Sequence, residues 1–138
     1  MKAIATLLLA AATLTAGTAD VKWETSLQAA QARAKAEHKV IFVDVWTGWC
    51  GWCIKLQKET FPSPEAQAVL AKVVPLSVKT QEVDGKPTAD NHFERDFKVQ
   101  GYPTLLILDA DGKEVSRQPG YLPPKPFAQW LGGHAKGH

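Results

Sequence analysis

Residues 40–53 read VIFVDVWTGWCGWC. Val40 to Trp46 is a short apolar run of β-branched and aromatic residues, which predicts a buried central strand. Alternation along such a strand puts Asp44 on the opposite face from Val43 and Val45. Thr47-Gly48-Trp49 breaks the run, and a helix is expected to start at Cys50. Cys50 and Cys53 therefore stand one helical turn apart at a strand-to-helix junction, and they are the only two cysteines among 138 residues.

That placement gives the two sulfurs different chemistry. Unpaired backbone N–H groups and the helix dipole at a helix start favour negative charge, which raises the thiolate fraction of Cys50. Cys53, one turn on, lies within reach to close a disulfide. Cys50 is then the attacking thiol, and Cys53 displaces whatever becomes joined to it. A bridge closing so short a loop removes little unfolded-state entropy, roughly 2 kcal/mol against about 4.7 kcal/mol for a 100-residue loop. The spacing points to redox chemistry before structural stapling. Structural zinc needs four ligands, and His38, His92, His134 and His138 show no paired spacing with the cysteines. Haem attachment needs a histidine directly after Cys53, where Ile54 stands. No metal or organic cofactor is expected. His134 and His138 read as part of a solvated tail.

Working outward, Trp23–Lys39 carries Leu27, Ala30, Ala34 and His38 at helical spacing, with Thr25 or Ser26 as cap. After Cys50, Phe61-Pro62-Ser63-Pro64 interrupts the helix, and Ser63 caps a second one running to Ala71 or Lys72. Val73–Lys79 predicts a strand, the polar stretch Thr80–Pro87 a solvated loop, and Asp90–Phe97 a short helix. Thr104–Leu108 and Lys113–Gln118 form a hairpin around Asp109-Ala110-Asp111-Gly112. A terminal helix starts near Pro126, with Gly132–His138 frayed and Trp46 and Trp130 packed in the core. A strand–helix–strand unit followed by a hairpin gives an α/β fold with a mixed central sheet and helices on both faces.

Composition supports one ordinary domain, 45% hydrophobic and 22% charged. A net charge of +2 with scattered lysines leaves no footprint for nucleic acid. No segment reaches the roughly 20 apolar residues of a membrane helix. The N-terminus has the form of a secretory signal peptide. Lys2 is the charged start, Ala3–Leu14 the apolar run, and Gly17-Thr18-Ala19 the small residues before a cut after Ala19. The expected organisation is a leader over 1–19 and one domain over 20–138. Export places the cysteines in an oxidising compartment.

Strand, Trp49-Cys50-Gly51-x-Cys53, and then Gly101-Tyr102-Pro103-Thr104 before a hairpin together resemble the thioredoxin family. The likeness runs over roughly Val40–Leu131. CIKLQKETFPSPEAQ is similar to the C-terminal domain of the reductant transporter DsbD, and Gly-Tyr-Pro-Thr to domains of protein disulfide isomerase. The resemblance implies a thioredoxin-like fold and a thiol–disulfide oxidoreductase of the cell envelope. It implies that Pro103 is a cis-proline shaping the substrate site and that Trp49 shields the attacking sulfur. It also implies that Asp44, six residues before Cys50, accepts the Cys53 proton. Tyr102 is either packing or a wall of the substrate groove.

Gly51-Trp52 departs from the dipeptides familiar between such cysteines. Trp52 is expected to be exposed and to form an apolar contact for partners. The leading expectation is a monomeric, periplasmic protein-disulfide reductase. Its partners would be protein thiols and disulfides, with a membrane-bound thiol reductase as electron donor. Disulfide formation or isomerisation is the alternative within the same chemistry. A non-catalytic peptide-binding module is the alternative outside it.

Overall fold

The structure is a computed structural model, and residues 21–135 are described. The expected leader over 1–19 and His138 lie outside the described residues. Helix α1 spans Leu27–Glu37, and Ser26, one of the two expected caps, accepts the N–H of Ala29 at its Oγ. Ala30 and Ala34 are its buried positions, and His38 closes it in the left-handed conformation, exposed. Trp23 lies ahead of the helix, where Glu24 bridges to Leu76 beside the sheet.

Strand β1, Ile41–Thr47, is buried almost throughout. Helix α2, Gly51–Lys55, follows and widens into a π-helical turn over Leu56–Thr60. Helix α3 spans Pro64–Leu70, with Ser63 Oγ accepting the N–H of Ala66 as its cap and Pro64 in the first turn. Strand β2 is Val74–Gln81, helix α4 His92–Asp96, strand β3 Thr104–Leu108, strand β4 Glu114–Pro119 and helix α5 Pro124–His134. Two expectations are corrected here. Thr80 and Gln81 extend β2 instead of opening a loop, because Thr80 is buried and Gln81 pairs with Thr47. The terminal helix continues through Gly132 and Gly133, because Gly132 packs close to Val69 of α3 and tertiary contact offsets poor helix propensity.

The sheet order is β2-β1-β3-β4, with β1 and β2 parallel and the other pairs antiparallel. The parallel pair requires the crossover made by α2 and α3. On one face Val43, Val45, Leu76 and Leu106 pack with Ala30, Ala34 and Phe93 from α1 and α4. On the other, Phe42, Leu105 and Ile107 pack with Leu56, Ala66, Leu70, Phe127 and Leu131. This mixed four-stranded sheet with helices on both faces is the thioredoxin-like α/β fold. Phe42 anchors the second face, its ring 5.3–6.3 Å from those of Trp23, Phe61, Phe127 and Trp130. Burying a ring of that size is worth roughly 1.5–3 kcal/mol in transfer free energy. Among the described residues, no helix is long and apolar enough to cross a membrane.

Candidate functional site

Strand β1 ends at Thr47, and the chain must turn sharply to start α2 at Gly51. Gly48 makes that turn against a neighbour. Its N–H donates to the carbonyl of Gln81 at 2.9 Å. A Cβ at position 48 would stand 2.8 Å from the backbone nitrogen of Val83, so only glycine fits there. Cys50 then caps α2 in an extended conformation, and its Sγ accepts the N–H of Cys53 at 3.1 Å. The two cysteines form a disulfide with their Cα atoms 5.2 Å apart. Cys53 is fully buried, whereas Cys50 keeps 5% of its surface in water. Cys50 is therefore the more accessible of the two residues, and the backbone N–H of Cys53 faces its sulfur.

Two exposed tryptophans flank the disulfide. Trp49 is 52% exposed and Trp52 58% exposed. The Trp49 indole N–H donates to Gln81 Oε1 at 2.8 Å, and its ring meets Tyr102 edge-on at 5.8 Å. Trp52 leans on Tyr121 with ring centroids 5.5 Å apart, and Lys55 Nζ lies 5.2 Å from both centroids. A cleft of about 320 Å³ opens between Trp52, Tyr102, Gly120 and Tyr121. The Tyr102–Pro103 peptide is cis, and the carbonyl of Pro103 accepts the N–H of Gly120 at 2.8 Å. One rim of the disulfide is therefore built from residues far apart in sequence.

Asp44 is buried on the face of β1 that packs against α2. Gln57 Nε2 reaches its Oδ2 at 3.5 Å, while Oδ1 has no hydrogen-bond partner among the described residues. Burial pushes the carboxyl up to about 7, and the Gln57 contact only partly opposes it. Gln57 stands four residues after Cys53, so helical geometry turns both toward β1. Beside Asp44 lies a cleft of about 450 Å³ walled by Trp23, Trp46, Phe61 and Pro62. Trp46 is half-buried, not sealed in the core as expected, and donates its indole N–H to Ser77 Oγ. Among the described residues, no three His, Cys, Asp or Glu side chains gather as a metal site.

A polar group behind Trp49 and Tyr102 completes the arrangement. Glu94 of α4 accepts from Gln81 Nε2 at 2.7 Å. The Tyr102 hydroxyl accepts from Thr80 Oγ1 at 3.2 Å on the same side. Burial raises the Glu94 carboxyl, but the surrounding donors Tyr102, Gln81, Thr80 and Asn91 outweigh it and hold the group below its ordinary range. Burial, together with that carboxylate, pushes the Tyr102 hydroxyl up to about 12. Sequence reasoning missed Gln57, Gln81, Glu94 and Tyr121. Only Gln57 had a usable signal, its one-turn spacing from Cys53.

The family of thioredoxin-like domains matches residues 27–134. The chain is 33% identical over 108 residues to the thiol:disulfide interchange protein DsbD of Pseudoalteromonas atlantica, covering 76% of this chain and 17% of that protein. It is 32% identical over 112 residues to the disulfide bond reductase DsbH of Chlamydia pneumoniae, covering 76% of this chain and 66% of that one. A solved structure of a DsbH oxidoreductase superposes with a TM-score of 0.66 at 27% identity, over 86% of each chain. The match to DsbD spans about one sixth of that protein's length.

Proposed function

This chain belongs to the family of thioredoxin-like domains, and from that premise we propose that it is a thiol–disulfide oxidoreductase acting on protein substrates, in the reducing direction, in the cell envelope. The observation that carries the reading is the Cys50–Cys53 disulfide at the start of α2, with the Cys50 sulfur facing backbone N–H and solvent while Cys53 is sealed beneath it. The names of the DsbD and DsbH relatives, an interchange protein and a disulfide bond reductase, support the same chemistry.

The cycle balances as follows. A dithiol donor, here a membrane-bound thiol reductase, transfers two electrons and opens the Cys50–Cys53 bond. The Cys50 thiolate attacks one sulfur of a client disulfide, forming a mixed disulfide and releasing the other client sulfur as thiolate. Cys53 loses its proton to Asp44 and attacks Cys50 Sγ. The intramolecular disulfide re-forms, and the client leaves as a dithiol. Asp44 suits the proton step because burial holds it near neutrality, where it can both accept and release a proton. Pro103, Tyr102 and Trp49 line the approach to Cys50, and Trp52 offers client chains an apolar contact. The charged Lys2, the apolar run Ala3–Leu14 and the small residues Gly17-Thr18-Ala19, read as a leader, support export.

The test is Cys53→Ser in the whole chain, exposed to disulfide-bearing proteins. A catalyst accumulates mixed disulfides through Cys50; a binding module releases its partners unmodified on denaturation. Direction is read by titrating the pair against glutathione. A potential well below the glutathione poise supports the reductant, and one well above it turns the reading to oxidation.

A further inference from the structure

Trp49 is more than half exposed, yet its indole N–H is tied down. The tie has a defined direction. Trp49 Nε1 only donates, so the Gln81 oxygen must face it, and the Gln81 amino group must face Glu94. The Glu94 carboxylate, which only accepts, ends the chain of bonds at 2.7 Å. Tyr102, whose hydroxyl accepts from Thr80 Oγ1 at 3.2 Å, meets the Trp49 ring edge-on at 5.8 Å. One anionic group on α4 therefore grips Trp49 through Gln81, and the Trp49 ring in turn meets Tyr102 on the same side of the disulfide. Asn91 of the same segment secures the backbone beneath by donating to the Thr80 carbonyl at 3.2 Å.

We infer that Glu94 is a positioning residue for protein substrates, holding Trp49, with Tyr102 packed edge-on against it, as a fixed rim against which a client chain docks beside Cys50. This rests on the proposed oxidoreductase function and adds to it the residue that shapes the rim. Hydrogen bonds to a charged acceptor are the stronger class, so removing the carboxylate loosens the Trp49 wall and the ring contact it makes with Tyr102. A folded client must press on the rim to bring its disulfide to Cys50. A small disulfide reaches the sulfur without it. Glu94 therefore sets discrimination between the two substrate sizes and leaves the sulfur chemistry unchanged.

The experiment compares the whole chain with Glu94→Ala and Glu94→Asp, using insulin as the protein disulfide and glutathione disulfide as the small one. In Glu94→Ala, kcat/KM for insulin is expected to fall about tenfold, the scale of one charge-assisted hydrogen bond, and to fall through KM. The glutathione disulfide rate stays within about twofold, since Cys50 keeps its own hydrogen bond. The Trp49 indole proton, identified by its loss in Trp49→Phe, exchanges with solvent faster in Glu94→Ala, while the other indole protons do not. Glu94→Asp, which keeps the charge, recovers part of the insulin KM. Equal losses on both substrates, a loss through kcat alone, or an unmoved Trp49 signal overturns the assignment. Wild-type exchange is the control. Its absence on both substrates defeats the proposed function, whereas an active wild type with an unsplit Glu94→Ala defeats only the role of Glu94.

Discussion

Trp49 and Trp52 flank the same disulfide with nearly equal exposure, yet they are held by different forces. Trp49 is fixed by a directional hydrogen bond that continues through Gln81 to a carboxylate. Among the described residues Trp52 finds no hydrogen-bond partner, and it rests on the Tyr121 ring and the Lys55 ammonium. A hydrogen bond sets an angle and a distance; ring and cation contacts tolerate sliding. The Trp49 side is thus a rigid edge, and the Trp52 side an adaptable apolar surface beside an open cleft. In the proposed function both kinds of wall serve docking, one by fixing register and the other by accepting varied side chains.

The largest expected effect tests whether selection lies in these walls or in the floor. Asp44→Asn removes the proposed proton acceptor in the floor and should slow exchange with protein and small disulfides alike, by about 10²-fold or more above pH 7. Its stability signature has a defined sign. Burial lifts the folded pKa of Asp44 from 3.8 to about 7. Between those values the folded state binds more protons than the unfolded, so stability falls as pH rises through that window. Urea denaturation should find the asparagine variant more stable than wild type at pH 8, by on the order of a few kcal/mol, with the gap closing at pH 4. A substrate-dependent loss in Asp44→Asn would move selection from the walls to the floor.

Trp52→Ala comes next. Truncating an exposed aromatic contact should raise KM for protein disulfides about five- to tenfold, the range of a modest hot spot, with small-disulfide rates similar to wild type. Parallel losses in steady-state assays would mean that Trp52 acts on the sulfurs instead of on partners. The smallest effect belongs to Trp49→Phe, which keeps a ring and deletes only the N–H. It should lower stability by about 0.5–1.5 kcal/mol in thermal melts, because the partly exposed Gln81 oxygen can turn to water. A zero effect in both melts and KM would make the two tryptophans equivalent after all.

What could be read from the sequence was local. Val40–Trp46 is apolar and β-branched, and Ser63-Pro64 is a cap followed by a first-turn proline, so β1 and the start of α3 followed from neighbours in the chain. The cysteine pair was legible for the same reason. Thr80 and Gln81 were not, because their polarity suggests a loop, while pairing with β1 and burial of Thr80 make them strand. The end of α5 was hidden by Gly132-Gly133, whose helical state depends on contact with α3. Glu94, Gln81 and Tyr121 were invisible for a further reason. Each is defined by a partner on another element, 13 residues away for Gln81–Glu94 and 32 for Trp49–Gln81. No spacing rule spans such separations.

The contact between Gly48 and Val83 makes two distant stretches interchangeable only as a pair. The redox loop and the 82–86 turn share an interface too tight for any side chain at position 48. A graft that moves the WTGWCGWC segment into another scaffold must carry its matching turn along, or find a host whose backbone leaves the same gap. The portable module of this protein is therefore a two-piece part, and the second piece contains no reactive residue at all.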